Sequence, residues 1–272
     1  MKLSYSTLAC PDWDINKIVK YASENGYDGV ELRGKAPHIS KDYNKAEREE
    51  LKELFSINNL EIPCVTAYTR FNNDDPEIRK ENINELKEMI KLASDVGAPY
   101  VRTFGSDANN PYRLEQVISW IAEAFDQVDD FAGEKDVKVL LETHDVLSKG
   151  KEVKKIFERS QTENCGVLWD VAHSIRAGED IVTTMDYLND YIYHIHFKDW
   201  LSFPGEREDH CVLLAAGLLP LEDLLQLLKE RKYQGYLSFE WEKTWHPEIE
   251  EADIAIMQYA MKMRQYMKKL DI

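Results

Sequence analysis

Glycine and proline are scarce in this chain, 12 and 9 in 272 residues, and no stretch rich in Gly, Ser or Pro interrupts it. No linker or low-complexity segment therefore marks a domain boundary. The four cysteines, Cys10, Cys64, Cys165 and Cys211, form no CxxC pair, which argues against a disulfide scaffold and a structural zinc site and fits a reducing compartment. Positive charge is short too: Lys+Arg 34 against Asp+Glu 50 leaves 34 − 50 = −16. A surface that acidic repels a phosphodiester backbone, so no nucleic-acid partner is expected. Long apolar runs are missing. The longest nearly continuous one, residues 211–221, is broken by Gly217 and Pro220 and falls well short of the roughly 18 residues of a membrane span. The opening MKLSYSTLACPDWD holds no apolar run of secretory length. A cytoplasmic protein with no membrane partner is expected. What the chain does have is 43% hydrophobic residues beside 31% charged ones, enough for one sizeable core and a single domain over residues 1–272.

Short apolar runs alternate with longer amphipathic segments from end to end. The runs are residues 3–8, 29–33, 62–68, 100–105, 139–144, 166–171, 191–198 and 236–242. The clearest helix follows Asp75 and Pro76, a cap and first-turn pair, with Ile83, Leu86, Ile90 and Ala93 on one stripe. Residues 47–55, 112–131, 220–229 and 249–270 read the same way. Strands separated by helices cannot form hairpins, so the sheet is expected to be parallel. Eight such units predict an α/β (β/α)8 TIM barrel, with a doubly wound open sheet as the fallback. Side chains alternate across a strand, so parity sorts each run. Glu31 and Arg33, Arg102, Glu142 and His144, Asp170, the series His194, His196 and Lys198, and the series Ser238, Glu240 and Glu242 all alternate with apolar neighbours. In a barrel these polar residues face inward, near the carboxyl ends of the strands where such folds carry their sites. An antiparallel sheet with one wet face would alternate as well, but its outer face would be richer in Lys, Thr and Ser.

Four of these residues stand out: Glu142 in LLETHD, Asp170 in LWDVAHS, His196 in HIHFKD and Glu240 in FEWE. Three carboxylates and an imidazole suit one divalent metal ion, Mn2+ or Mg2+ first, with Co2+ or Zn2+ as alternatives. Any one of them alone would read as a salt-bridged core group. Four in register point to a shared cation, because buried acids repel one another without one.

Together these motifs resemble the xylose-isomerase-like TIM-barrel superfamily, the sugar phosphate isomerase/epimerase group, and the resemblance spans nearly the whole chain. It implies Glu142, Asp170, His196 and Glu240 as metal ligands and His173 as a substrate-binding histidine. It also implies a metal-dependent sugar or polyol isomerase or epimerase working through an enediolate. The alternative is a dehydratase of the inosose or 3-dehydroshikimate type. A non-catalytic sugar-binding barrel and an AP endonuclease rank lower, since the ends of the third and fourth runs (Ala67, Tyr68, Phe104, Gly105) lack the extra histidines of the endonucleases, although Asp209 and His210 echo part of that cluster. One departure is AAGLLPLEDLL, which stands where many relatives carry Gly-Glu-Gly before the last helix.

In the epimerase reading Glu142 and Glu240 are the catalytic acid and base, exchanging a proton on opposite faces of the substrate. His144 or Lys198 would assist an elimination. Lys198 and Arg176 are candidate substrate contacts, with Arg102 and Glu31 deeper, and Trp245 and His246 are expected to cap the pocket. No glycine-rich phosphate loop is present and the segments GEREDH and HPEIEE are acidic, which favours an unphosphorylated sugar or polyol as the small-molecule partner. A homo-oligomer is compatible with the sequence.

Overall fold

At each junction the hydrophobic period switches between two and 3.6, and the backbone follows it. The computed structural model describes residues 1–204 and 209–272; residues 205–208, within GEREDH, lie outside the described residues. The first seven strands are β1 (Lys2–Ser6), β2 (Gly29–Arg33), β3 (Cys64–Thr66), β4 (Tyr100–Thr103), β5 (Lys138–Glu142), β6 (Cys165–Asp170) and β7 (Ile192–Phe197). A short antiparallel pair, β8 (Asp199–Leu201) and β9 (His210–Val212), precedes β10 (Tyr236–Phe239). The seven and β10 close into a parallel barrel in the order β1-β10-β7-β6-β5-β4-β3-β2. Each of the eight apolar runs overlaps one barrel strand, and the chain is a (β/α)8 TIM barrel rather than an open sheet.

The surrounding helices are α1 (Ile15–Glu24), α2 (Lys45–Ile57), α3 (Pro76–Val96), α4 (Leu114–Glu134), α5 (Gly150–Arg159), α6 (Val171–Arg176), α7 (Ile181–Leu188), α8 (Leu221–Glu230) and α9 (Ala252–Leu270). Helix α3 starts as its sequence requires: Asp75 accepts from the Glu77 amide at 2.9 Å and Pro76 takes the first turn. The stripe Ile83, Leu86, Ile90 and Ala93 is buried, and Gly97 ends the helix at φ 81°. The apolar parity of the strands (Val30, Leu32, Val101, Leu141, Trp169, Ile195, Phe197, Leu237, Phe239) is buried as well. Burial of one such side chain is worth about 1.5–3 kcal/mol. Among the described residues no helix is long and apolar enough to cross a membrane.

The β8–β9 pair was not expected, because three-residue strands carry too little alternation to register. It matters through Asp199, which is 1% exposed. Its Oδ1 accepts from the Trp200 and Leu219 amides and its Oδ2 from the Gly217 amide, each at 2.9 Å. The AAGLLPLEDLL segment is thereby pinned over the end of β7, and the helix it opens is α8, the next to last, with α9 following. Gly217 is needed here: a Cβ would come within 2.3 Å of the Trp200 carbonyl oxygen.

Two outcomes follow from these contacts. Asp199→Ala leaves three amides without their acceptor and is expected to cost about 3 kcal/mol in urea denaturation at unchanged m. A loss under about 1 kcal/mol would mean water replaces the carboxylate there. The second concerns His38, which is 1% exposed and has Nε2 3.1 Å from the Cys10 carbonyl oxygen. Burial pushes its imidazole from 6.5 down to about 4. The folded value lies below the unfolded one, so this stabilisation is complete above pH 6.5 and is lost as pH falls toward 4. Wild-type protein is expected to lose up to about 3 kcal/mol over that window that His38→Gln does not lose; parallel stability curves would exclude the effect.

Candidate active site

The sheet register brings the ionisable residues of β5, β6, β7 and β10 to one end of the barrel. Asp170 pairs with His196 across β6–β7, and His196 pairs with Ser238 across β7–β10. Lys198 and Glu240, each two residues further on, continue the same inward parity. Ligand atoms of Glu142, Asp170, His196 and Glu240 all lie within 4.8 Å of one another, and all four side chains are buried.

Beneath them Glu31 organises the histidines. Its Oε2 lies 2.8 Å from both His194 Nε2 and His196 Nε2. Burial alone would raise this carboxyl, but His196 and His194 outweigh burial and hold it well below the usual range. Both rings therefore carry a proton on Nε2, and His196 turns Nδ1 toward the acids, 3.5 Å from Glu142 Oε1 and 3.3 Å from Glu240 Oε1. This buried nitrogen has no hydrogen-bond partner. Burial lowers the basicity of His196, yet the charges of Glu31 and Glu240 raise it well above the ordinary value. A proton or a cation belongs at Nδ1. The donor set thus fits a divalent ion: hard oxygens, one imidazole nitrogen with its lone pair free, and a carboxylate behind the ring that fixes the tautomer.

Lys198 is not the open substrate contact expected. It is 2% exposed, with Nζ 2.8 Å from Asp170 Oδ2, 2.7 Å from Glu240 Oε2 and 2.6 Å from Glu242 Oε1. Burial opposes its charge, but Asp170, Glu240 and Glu242 raise its pKa well above the ordinary value. Three acids enclose the ammonium because HIHFKD carries it one step beyond His196 on the same parity. Its fourth neighbour is His173 Nε2, at 3.1 Å. The spacing of Asp170 and His173 is that of a cap and its third residue: Asp170 Oδ1 accepts from the His173 amide at 3.2 Å, starting α6. Burial pushes the Asp170 carboxyl up to about 6, against the pull of Lys198.

A cavity of about 420 Å³ opens over these groups. Glu142, His144, His173, Glu240, Glu242, Trp245 and His246 line it, as do Arg102, Arg176, Tyr68, Arg70 and Phe104. The His144 and His173 rings pack 4.1 Å apart. Burial and Lys198 hold His173 well below its ordinary pKa, whereas Asp145 raises His144 against burial. Arg102 is 4% exposed, with Nε 3.1 Å from Glu142 Oε2 and its guanidinium 4.0 Å from the Phe104 ring. Trp245 and His246 stand on the cavity wall as expected. Arg176, a candidate substrate contact, lies on the cavity wall with its Nε paired to Asp209 Oδ2 at 2.8 Å and its guanidinium packed over Trp200. Sequence reasoning gave no site role to Glu242, His194 or Arg70. Parity already turned Glu242 and His194 inward, and Arg70, shortly after β3, lies at the strand ends where a barrel keeps its site.

An inosose isomerase of Halalkalibacterium halodurans is 26% identical over 249 residues, 88% of this chain and 87% of that protein. An inosose dehydratase of Clostridium beijerinckii is 23% identical over 273 residues, 90% of this chain and 85% of that one. The solved structure of IOLI protein with a binding zinc atom shares the fold with a TM-score of 0.84 at 21% identity, over 99% of each chain. Residues 19–262 match the family described as xylose isomerase-like TIM barrel. The closed barrel and a family match over most of its length place this chain in the xylose isomerase-like TIM barrel family.

Proposed function

We propose that this protein is a divalent-metal-dependent isomerase or epimerase of a sugar or polyol ketone, with Glu142, Asp170, His196 and Glu240 holding the ion. The observation that carries the reading is the unpartnered Nδ1 of His196, facing Glu142 and Glu240 at the floor of the cavity. Kinship with an inosose isomerase supports the reaction class. Mn2+ or Mg2+ suits the oxygen-rich set best.

When bound, the ion supplies Lewis acidity at the substrate carbonyl, which acidifies the neighbouring C–H. The chain's residues do the rest. Glu142 and Glu240 reach the cavity from β5 and the end of β10, with β6 and β7 between them in the barrel. Burial would raise both carboxyls, but Arg102 holds Glu142 below its ordinary value and Lys198 and His196 hold Glu240 well below it. Both are anionic at neutral pH, so either can accept the proton of a C–H placed between them, and the other face is served by its partner. Lys198, donating to His173 Nε2, leaves the His173 proton on Nδ1 as a donor for a substrate oxygen. The cavity volume of about 420 Å³ accommodates a monosaccharide-sized ligand.

Dehydration is the second reading. The His144–His173 pair, 4.1 Å apart on the cavity wall, offers an acid for a departing hydroxyl, and an inosose dehydratase is among the relatives.

Elemental analysis of the purified chain loaded with Mn2+ is expected to show one ion per chain, and none after Asp170→Ala and His196→Ala are combined. Stoichiometric metal in that double variant would remove the ligand assignment. Reaction class is read in D2O: an isomerase or epimerase is expected to place deuterium on the carbon next to the carbonyl of a keto substrate. Loss of one water with an absorbing enone product, and no label in recovered substrate, would select the dehydratase instead.

A further inference from the structure

The cavity has a wall that the chemistry above leaves unused. Arg70 follows β3, and its backbone amide is held by Asn82 Oδ1 of α3 at 3.0 Å. Its guanidinium packs 4.8 Å from the Phe104 ring, and its one side-chain hydrogen bond runs from Nη1 to the Tyr68 carbonyl oxygen at 3.3 Å. Nε is buried without a partner. Among the described residues Arg70 pairs with no carboxylate, although the chain has 50 of them against 34 Lys and Arg. Arg102, Arg159 and Arg176 all hold one. Behind Arg70 lies a second such group: Arg33, 9% exposed, spends Nε on the Tyr68 hydroxyl at 2.9 Å and Nη1 on Thr244 Oγ1 at 3.1 Å. Two guanidiniums that pair with no acid among the described residues thus flank Tyr68.

A half-buried guanidinium with no carboxylate beside it attracts an anion. The open side of Arg70 is the cavity. We propose that Arg70 forms an oxyanion subsite, so that the substrate is an acidic carbohydrate carrying a carboxylate or a phosphate besides its carbonyl. Its Nη–H groups offer charge-assisted hydrogen bonds to the oxygens of either group. Phe104 holds the guanidinium plane, and Arg33 adds positive potential from behind Tyr68. As a statement about substrate this rests on the isomerase reading; anion binding itself is measurable without turnover.

The test uses the full chain stripped of metal by a chelator, titrated calorimetrically with D-glucuronate, D-glucose 6-phosphate and uncharged D-glucose at fixed ionic strength. At least one acid is expected to bind about tenfold or more tightly than glucose, the scale of a charge-assisted hydrogen bond. Added salt should weaken the acids and leave glucose unchanged. Arg70→Gln should abolish the preference and Arg70→Lys should keep part of it; should Arg70→Gln fail to fold, the lysine variant and the salt series carry the test. The tighter acid identifies the group as carboxylate or phosphate. Acids that bind no better than glucose, or a preference that survives Arg70→Gln, would overturn the subsite. Arg70-dependent binding with no solvent exchange on any keto substrate would overturn the isomerase reading alone.

Discussion

Burial of like charges is the constraint around which this barrel is organised. Glu31, Glu142, Asp170, Glu240 and Glu242 crowd the carboxyl end, buried or nearly so, with Lys198 and Arg102 among them. With His196 protonated the cluster has five carboxylates against three cations, 5 − 3 = 2 charges unmatched. That excess is visible at Asp170: burial first, then Glu240 and Glu142, push its carboxyl up to about 6 although Lys198 lies 2.8 Å away. A divalent ion replacing the proton on His196 would leave one unmatched charge instead of two. Electrostatics alone therefore favours a cation at this place, whatever reaction follows.

The rest of the fold keeps those groups from relaxing apart. Strand register sets Asp170, His196 and Ser238 at one level, and the apolar residues alternating with them lock the sheet against its helices. Glu31, from a strand far round the barrel, holds both histidine tautomers through one oxygen. Asp170 is tied through the α6 cap it makes. Asp199, next to Lys198 in the chain, clamps the loop before α8. Each anchor is a buried carboxylate accepting N–H groups, so the same chemistry serves the scaffold and the site.

Strands and inward parity were legible because both are local properties of sequence. The runs at residues 139–144 and 191–198 already alternate Glu142 and His144, and His194, His196 and Lys198, with apolar partners, and closure turns that parity into convergence. Pairings between distant segments were not legible. Nothing in HIHFKD says that Lys198 is enclosed by Asp170, Glu240 and Glu242, since those acids come from other strands. The partner of Arg176 was hidden for the same reason: Asp209 lies 33 positions on. The β8–β9 pair escaped because three residues are too few for a period to show.

The two walls of the cavity differ in origin as well as in charge. Glu142, Asp170, His196 and Glu240 stand on or directly after barrel strands, where main-chain hydrogen bonds fix position closely. Tyr68, Arg70, Phe104, Trp245 and His246 stand on the loops that follow β3, β4 and β10. Loops tolerate substitution and insertion far better than paired strands do. A constellation on strand ends can therefore keep one chemistry, proton abstraction beside a carbonyl, while the loops decide which carbohydrate is presented to it. In this chain the arginine of the loop after β3 pairs, among the described residues, with no carboxylate, so the proposed discrimination between charged and neutral sugars rests on a loop residue.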